Sequence, residues 1–444
     1  MNEYPRQPEK ASRGMPVIIG VVLLVLVPVM VYGCRGELDR WRAAVVMERY
    51  LDGDKQQGIV QLTQIAERLP NNIGLQATLA RWMLDDERPE DALELINAIP
   101  EEKRDARIQA IRQDCLLASG RPEEALEAYR AANPANINRG YEQKLQHRNT
   151  LSYLQALAGQ ELRLALKNSR YVVNETAGAW NHLEDVKLPT HLQVYFCATI
   201  LYREQAQRTV EQGDTAVAET FTQTALDQLS PVIEELRRER NVISRLDPQA
   251  ISEALLSLFG MQADEQETKL PQVARKKEEN AHALAAFLTL RALIYQDLGE
   301  QESSWADRRA IMELGYDPEM VASKFPELQL CAVQLLRLAP FLDTRGCVQY
   351  QMNVLESALV DLNAAVAAQR TIVDVPFAAP RTRFEASLDP REQYEFFVRG
   401  PKKSLAVLLY HRSWILRELG AEKSAQADAA EIRELGFKPG RFLF

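Results

Sequence analysis

Catalytic signatures are missing from this 444-residue chain. It contains no GxSxG, HExxH or phosphate-cradling glycine loop, so hydrolase, zinc-protease and nucleotide chemistries built on those geometries have no local support. Histidine is scarce, at five residues. Only His182, with Glu184, Asp185 and His191 nearby, resembles a set of metal ligands, and its spacing fits no zinc motif. Cysteine is equally sparse: five residues with no CxxC pair, which leaves no sequence basis for a zinc knuckle or a thioredoxin-type site. A basic surplus is lacking too, since 53 Lys and Arg face 62 Asp and Glu for a net charge of −9. That balance argues against nucleic acid as a partner. Aromatic residues make up only 7% of the chain, and its wealth of Ala, Leu, Glu, Arg and Gln favours helix. No enzyme activity, metal or cofactor is expected.

Long apolar runs are absent with one exception. Between Arg13 and Arg35 lie 21 uncharged residues, GMPVIIGVVLLVLVPVMVYGC. At about 1.5 Å per residue a helix of that length reaches roughly 30 Å, enough to cross a hydrocarbon core. Residues 15–34 are therefore expected to be a transmembrane helix, behind a disordered tail over 1–14. Two other readings stay open: a cleaved secretory signal, and a lipoprotein segment in which Val31-Tyr32-Gly33-Cys34 precedes lipidation at Cys34. Basic residues flank the run on both sides, so their count does not choose an orientation. A tail this short favours an extracytoplasmic C-terminal domain.

What the chain does have is self-similarity. Arg291–Pro318 (RALIYQDLGEQESSWADRRAIMELGYDP) returns 121 residues later as Arg412–Pro439 (RSWILRELGAEKSAQADAAEIRELGFKP). The two share Arg, Ile, Leu-Gly, Ser, Ala-Asp, Ile, Glu-Leu-Gly and Pro in one register. Apolar residues at three-and-four spacing, Leu284 to Leu298, predict a helix that stops at Gly299; a second helix follows and stops at Gly315 before Pro318. Each copy is thus a helical hairpin, the second turning at Gly420 and closing at Pro439. The same grammar recurs upstream. A small residue sits five positions after the turn residue, as in Glu87/Ala92, Gly120/Ala125, Gly213/Ala218 and Gly420/Ala425, and another often sits seven before it, as at Ala292 and Ser413.

The turns at Gly53, Glu87 and Gly120 lie 34 and 33 residues apart, and RPEDALEL (Arg88–Leu95) nearly duplicates RPEEALEA (Arg121–Ala128). This pattern resembles the tetratricopeptide repeat, a 34-residue hairpin with small residues at its helix contacts and a terminal proline. Gly159 departs from it, since Leu164 stands at the fifth place and Ala165 one later. The resemblance implies an all-α, right-handed α-solenoid of eight to eleven degenerate hairpins. Ala92, Ala125, Ala218, Ala292, Gly299, Ala306, Pro318, Ser413, Gly420, Ala427 and Pro439 are its expected packing and turn positions, and Ala427→Trp is expected to disrupt it.

The expected domains are N-terminal repeats over 37–231, an irregular helical connection over 232–283, and C-terminal repeats over 284–444 with an insertion near 371–401. Cys331 and Cys347 could meet as a disulfide, or Cys115, Cys197, Cys331 and Cys347 could all be buried thiols. The family resemblance implies a membrane-anchored scaffold that takes proteins or peptides in a concave groove, with no catalysis. The alternative is an exported lipoprotein whose helical frame carries a ligand or enzymatic pocket.

Overall fold

The computed structural model describes residues 42–43, 45–46, 55–133, 140–177, 188–245, 266–323, 332, 336–375 and 399–438. Sixteen α-helices are bounded among them, with one short 3-10 turn and no strand. The chain divides into two compact units, Met1–Ala132 and Asn133–Phe444. The division falls between the expected N-terminal repeats, not at their end.

The first unit holds α1 (Lys55–Arg68), α2 (Ile73–Asp85), α3 (Pro89–Asn97), α4 (Ala106–Ala118) and α5 (Pro122–Ala132). Each packs on the next, and α2 also reaches α4. This is the neighbour-to-neighbour order of a repeat stack. The side chains of Asn72 and Asp105 accept the Leu75 and Ile108 N–H groups and so cap α2 and α4. Pro89 and Pro122 open α3 and α5, where the missing N–H would have had no helical partner.

The second unit holds α6 (Tyr141–Leu157), α7 (Leu162–Ala177), α8 (Thr190–Glu211), α9 (Thr215–Arg245), α10 (Gln266–Asp297) and α11 (Gln301–Glu313). The short α12 (Pro318–Ala322) follows, then α13 (Ala339–Gln351), α14 (Leu355–Asp374), α15 (Gly400–Glu418) and α16 (Glu422–Glu434). Its packing skips along the chain. Both α6 and α7 lie on α13, α8 lies on α14 as well as on α9, α9 lies on α10, and α14 lies on α15. Hairpin α13–α14 therefore stands between two hairpins that precede it in sequence.

Every described hairpin turns in the same way. Glu87, Gly120, Gly159, Gly213, Gly299, Asn353 and Gly420 all have φ between 60 and 86°. At Gly120 the N–H donates to the Leu117 carbonyl at 2.9 Å and the Arg121 N–H to the Leu116 carbonyl at 2.8 Å. Two carbonyls left over at the helix end are thereby satisfied. Glu87 and Asn353 repeat the same pair of bonds without glycine. Around the turns, Ala92, Ala125, Ala218, Ser304, Ala358 and Ala425 are buried five residues later, and Ala80, Ser152, Ala206, Ala292 and Ser413 are buried seven earlier. At Gly346, seven before Asn353, a Cβ would stand 3.0 Å from Leu362 Cγ and 3.3 Å from the Ala358 carbonyl oxygen. The Gly159 hairpin departs for a visible reason. Glu161 also takes a left-handed φ of 49°, which adds one residue to the turn, so Ala165 is buried and Leu164 exposed.

Several expectations need correction. Ala306 and Ala427 are exposed, whereas Ser304 and Asp307, and Ala425 and Asp428, face inward. Two residues rotate a helix by about 200°, so a position two beyond a buried contact points away from it. Pro231 does not end a repeat: α9 runs through it to Arg245, and α10 begins at Gln266, so much of the expected connection is regular helix. Pro318 opens α12. Residues 15–34, Cys34, His182, Cys331, Pro439 and most of the 371–401 insertion lie outside the described residues. Among the described residues, no helix is long and apolar enough to cross a membrane.

Candidate functional site

Three hairpins of the second unit carry the same ion pair. Arg291 clasps Asp307 between α10 and α11, Arg345 clasps Asp361 between α13 and α14, and Arg412 clasps Asp428 between α15 and α16. In each case the partners are 16 residues apart with the turn residue midway, and Nε and Nη2 reach both carboxylate oxygens. The carboxylates are nearly inaccessible, so charge-assisted paired bonds must offset their desolvation. The first and third pairs are the Arg and Ala-Asp letters shared by the two sequence copies. The second marks a further copy that the sequence reading missed, because Asn353 stands where the others have glycine.

The Arg345–Asp361 pair borders a groove of about 630 Å³ formed by α8, α9, α10, α13 and α14. Pro189 precedes α8 and places His191 and Tyr195 on its first turns, facing this space. Pro231, without an N–H, interrupts the hydrogen-bond ladder of α9 at the groove wall. Lining carboxylates come from Glu235 and Glu239 on α9 and Glu279 on α10, with Lys276 the cation beside them. Lys276 lies 3.7 Å from Glu239.

Two lining amides are buried with one atom unserved. Asn280 donates through Nδ2 to the Leu236 carbonyl and to Glu239, but its Oδ1 has no partner. Gln349 Oε1 has none either. Both oxygens are closed off from solvent, so their unmade bonds are a cost carried by the packing. Burial lowers the pKa of His191; the nearby Asp361 opposes that and Arg345 reinforces it. Burial likewise pushes the Tyr195 hydroxyl up to about 12. The groove therefore presents a neutral imidazole, a neutral phenol and more carboxylates than cations, with no nucleophile held against a base.

Of the cysteines, Cys115, Cys197 and Cys347 are buried and in no disulfide. Cys347 lies beside Asp343 on α13 and near His411 on α15, a second gathering of polar side chains. Burial, then the Asp343 charge and hydrogen bond, push its thiol pKa well above the ordinary range. No sequence spacing signals this cluster, because Cys347 and His411 are 64 residues apart.

Residues 50–115, which include α1 to α3 and most of α4, match the model of the tetratricopeptide repeat family. Over this stretch the sequence is that of tetratricopeptide repeats. Outside the matched stretch, the second unit repeats the same left-handed turn and small-residue contacts in hairpins lengthened by long α9 and α10. No curated protein sequence matches the chain. Among solved structures, it is similar to the crystal structure of the APC/C hetero-tetramer Cut9-Hcn1, at 12% identity over 91% of this chain and 88% of that one. The TM-score is 0.29, too low to carry an argument about fold or role.

Proposed function

We propose that this tetratricopeptide repeat protein is a non-catalytic scaffold whose second unit binds a partner protein through the α8–α9–α10–α13–α14 groove. The observation that carries the reading is the charge of the groove lining, in which Glu235, Glu239, Glu279 and Asp361 outnumber Lys276 and Arg345. The occupant is a peptide segment presenting lysine or arginine, whose N–H donors and positive charge suit the surplus of carboxylates. Arg345 is held by Asp361, as Glu235 is by Arg238 and Glu239 by Lys276, so the preference rests on the net negative charge of the lining. Residues 15–34 tether the scaffold to a membrane, with the repeats on the extracytoplasmic side.

Peptides selected from a random library on the purified chain test the groove. The expected winners carry Lys or Arg, and Glu239→Gln weakens them at least about tenfold, the effect of about 1.4 kcal/mol. Val360→Trp, which places an indole in the groove from a half-exposed site, also abolishes binding. Peptides indifferent to both substitutions would refute the assignment. Membrane fractionation with the mass of the N-terminal peptide tests the tether: an intact N-terminus in the membrane fraction supports a spanning helix, and a lipidated Cys34 replaces it.

A further inference from the structure

We propose that Asp343, Cys347 and His411 form a transition-metal site, with Zn²⁺ the best-matched occupant. Asp343 Oδ1 lies 2.8 Å from His411 Nδ1 and 3.9 Å from Cys347 Sγ, and all three ligand atoms lie within 4.8 Å of one another. Around tetrahedral zinc, with bonds of about 2.0–2.3 Å, neighbouring ligand atoms stand roughly 3.3–3.7 Å apart. Small side-chain rotations would bring the set into that shell. Asp343 and Cys347 are one helical turn apart on α13 and share a face, while His411 arrives from α15.

Four features favour a metal over a plain hydrogen-bonded network. A carboxylate–imidazole pair needs no third member, and a thiol 3.9 Å away adds little to it, since S–H is a weak donor. A thiolate, a carboxylate and a divalent cation sum to zero charge with neutral histidine, the least costly combination in a buried site. Thiolate with imidazole and carboxylate is also a ligand mixture suited to zinc. Finally, the outer support is in place. His411 turns Nδ1 toward the cluster, and its Nε2 lies 3.4 Å from the Tyr153 hydroxyl on α6, so a metal-bound imidazole would donate its remaining N–H there.

Binding would release the Cys347 thiol proton to solvent as the S–metal bond forms. A water or the second oxygen of Asp343 would complete the shell. The ion would join α13 to α15, with α6 supporting the histidine, where hairpins far apart in sequence meet. This site does not depend on the peptide groove or on any membrane tether.

The test uses the full chain, purified without chelator or polyhistidine tag. Metal analysis is expected to find about one Zn²⁺ per chain. Co²⁺ added to metal-free protein should give a thiolate-to-cobalt charge-transfer band that Cys347→Ser abolishes. Tyr153→Phe should keep the band and weaken Zn²⁺ binding by about 10–100-fold, the usual size of an outer-shell effect. The proposal is overturned if metal-free wild-type protein with native helix content develops no such band. It is overturned equally if Cys347→Ser folds and binds Zn²⁺ as tightly as wild type. Should Cys347→Ser fail to fold, the wild-type cobalt spectrum decides alone.

Discussion

Arg81 and Asp114 join α2 to α4 in the first unit at 2.6 Å, with side chains 45% and 30% exposed. Arg345 and Asp361 make the same 2.6 Å contact in the second unit at 14% and 4%. The two contacts do different work. In the first unit neighbours in sequence are neighbours in space, and apolar contacts around Ala80, Ala92 and Ala125 suffice, so its charges stay in water. In the second unit hairpins meet out of order, and each of its last three hairpins carries a buried pair that fixes how its helices face one another. A pair that satisfies both partners only in one geometry penalises the alternatives, a gain in specificity more than in stability.

The strongest way to break this contrast is to strand one charge. Asp361→Ala leaves the Arg345 guanidinium without its carboxylate and is expected to cost about 3–5 kcal/mol in urea denaturation. Asp114→Ala should cost only about 0.2–1 kcal/mol. Equal losses would mean that burial is not what distinguishes the units. Next in size is a matched pair on α16. Ala425→Trp forces an indole into a fully buried contact and should cost at least about 1–3 kcal/mol. Ala427→Trp, on the exposed face, should stay within about 0.5 kcal/mol of wild type. A melt in which position 427 proved the more sensitive would reverse the facing of this helix.

Asn353→Gly sharpens the reading of the missed hairpin. Its backbone already sits at φ 60°, so removing the Cβ should stabilise the protein by up to about 1 kcal/mol. A loss would mean that the Asn353 side chain contributes more than the relief of its backbone. The smallest effect is one of pH. His191 has a folded-state pKa below its ordinary value, chiefly through burial, with Asp361 and Glu239 opposing and Arg345 reinforcing. Its contribution to stability is complete above the unfolded imidazole pKa, about 6.5, and is lost as pH falls through the lower folded-state value. His191→Gln should flatten that acid limb; an unchanged slope would remove His191 from the groove's electrostatics.

Much of the hairpin grammar was readable from letters alone, because it is local. Left-handed turns call for glycine or asparagine, and close helices call for Ala, Ser or Gly at fixed offsets, so Gly299, Gly420, Ala92 and Ala125 announce themselves. The errors at Ala306 and Ala427 arose where alanine, a residue equally at home on an exposed helix face, was read as a contact. The Arg345–Asp361 hairpin stayed hidden because Asn353 replaced the expected glycine. The groove left still less trace: Asn280 and Gln349 are ordinary polar letters until α8 and α14 come together around them.

Helix, turn and hairpin are decided within about 30 residues, by backbone conformation and apolar periodicity, and there the chain's letters are sufficient. Which hairpin meets which is a different kind of fact. It depends on the area and shape of surfaces contributed by residues far apart in sequence, and no local rule places α6 against α13 or α8 against α14. Asp343, Cys347 and His411 converge for that reason alone. The long-range packing of the second unit, which its internal repeat could not specify, created both the groove and the buried cluster.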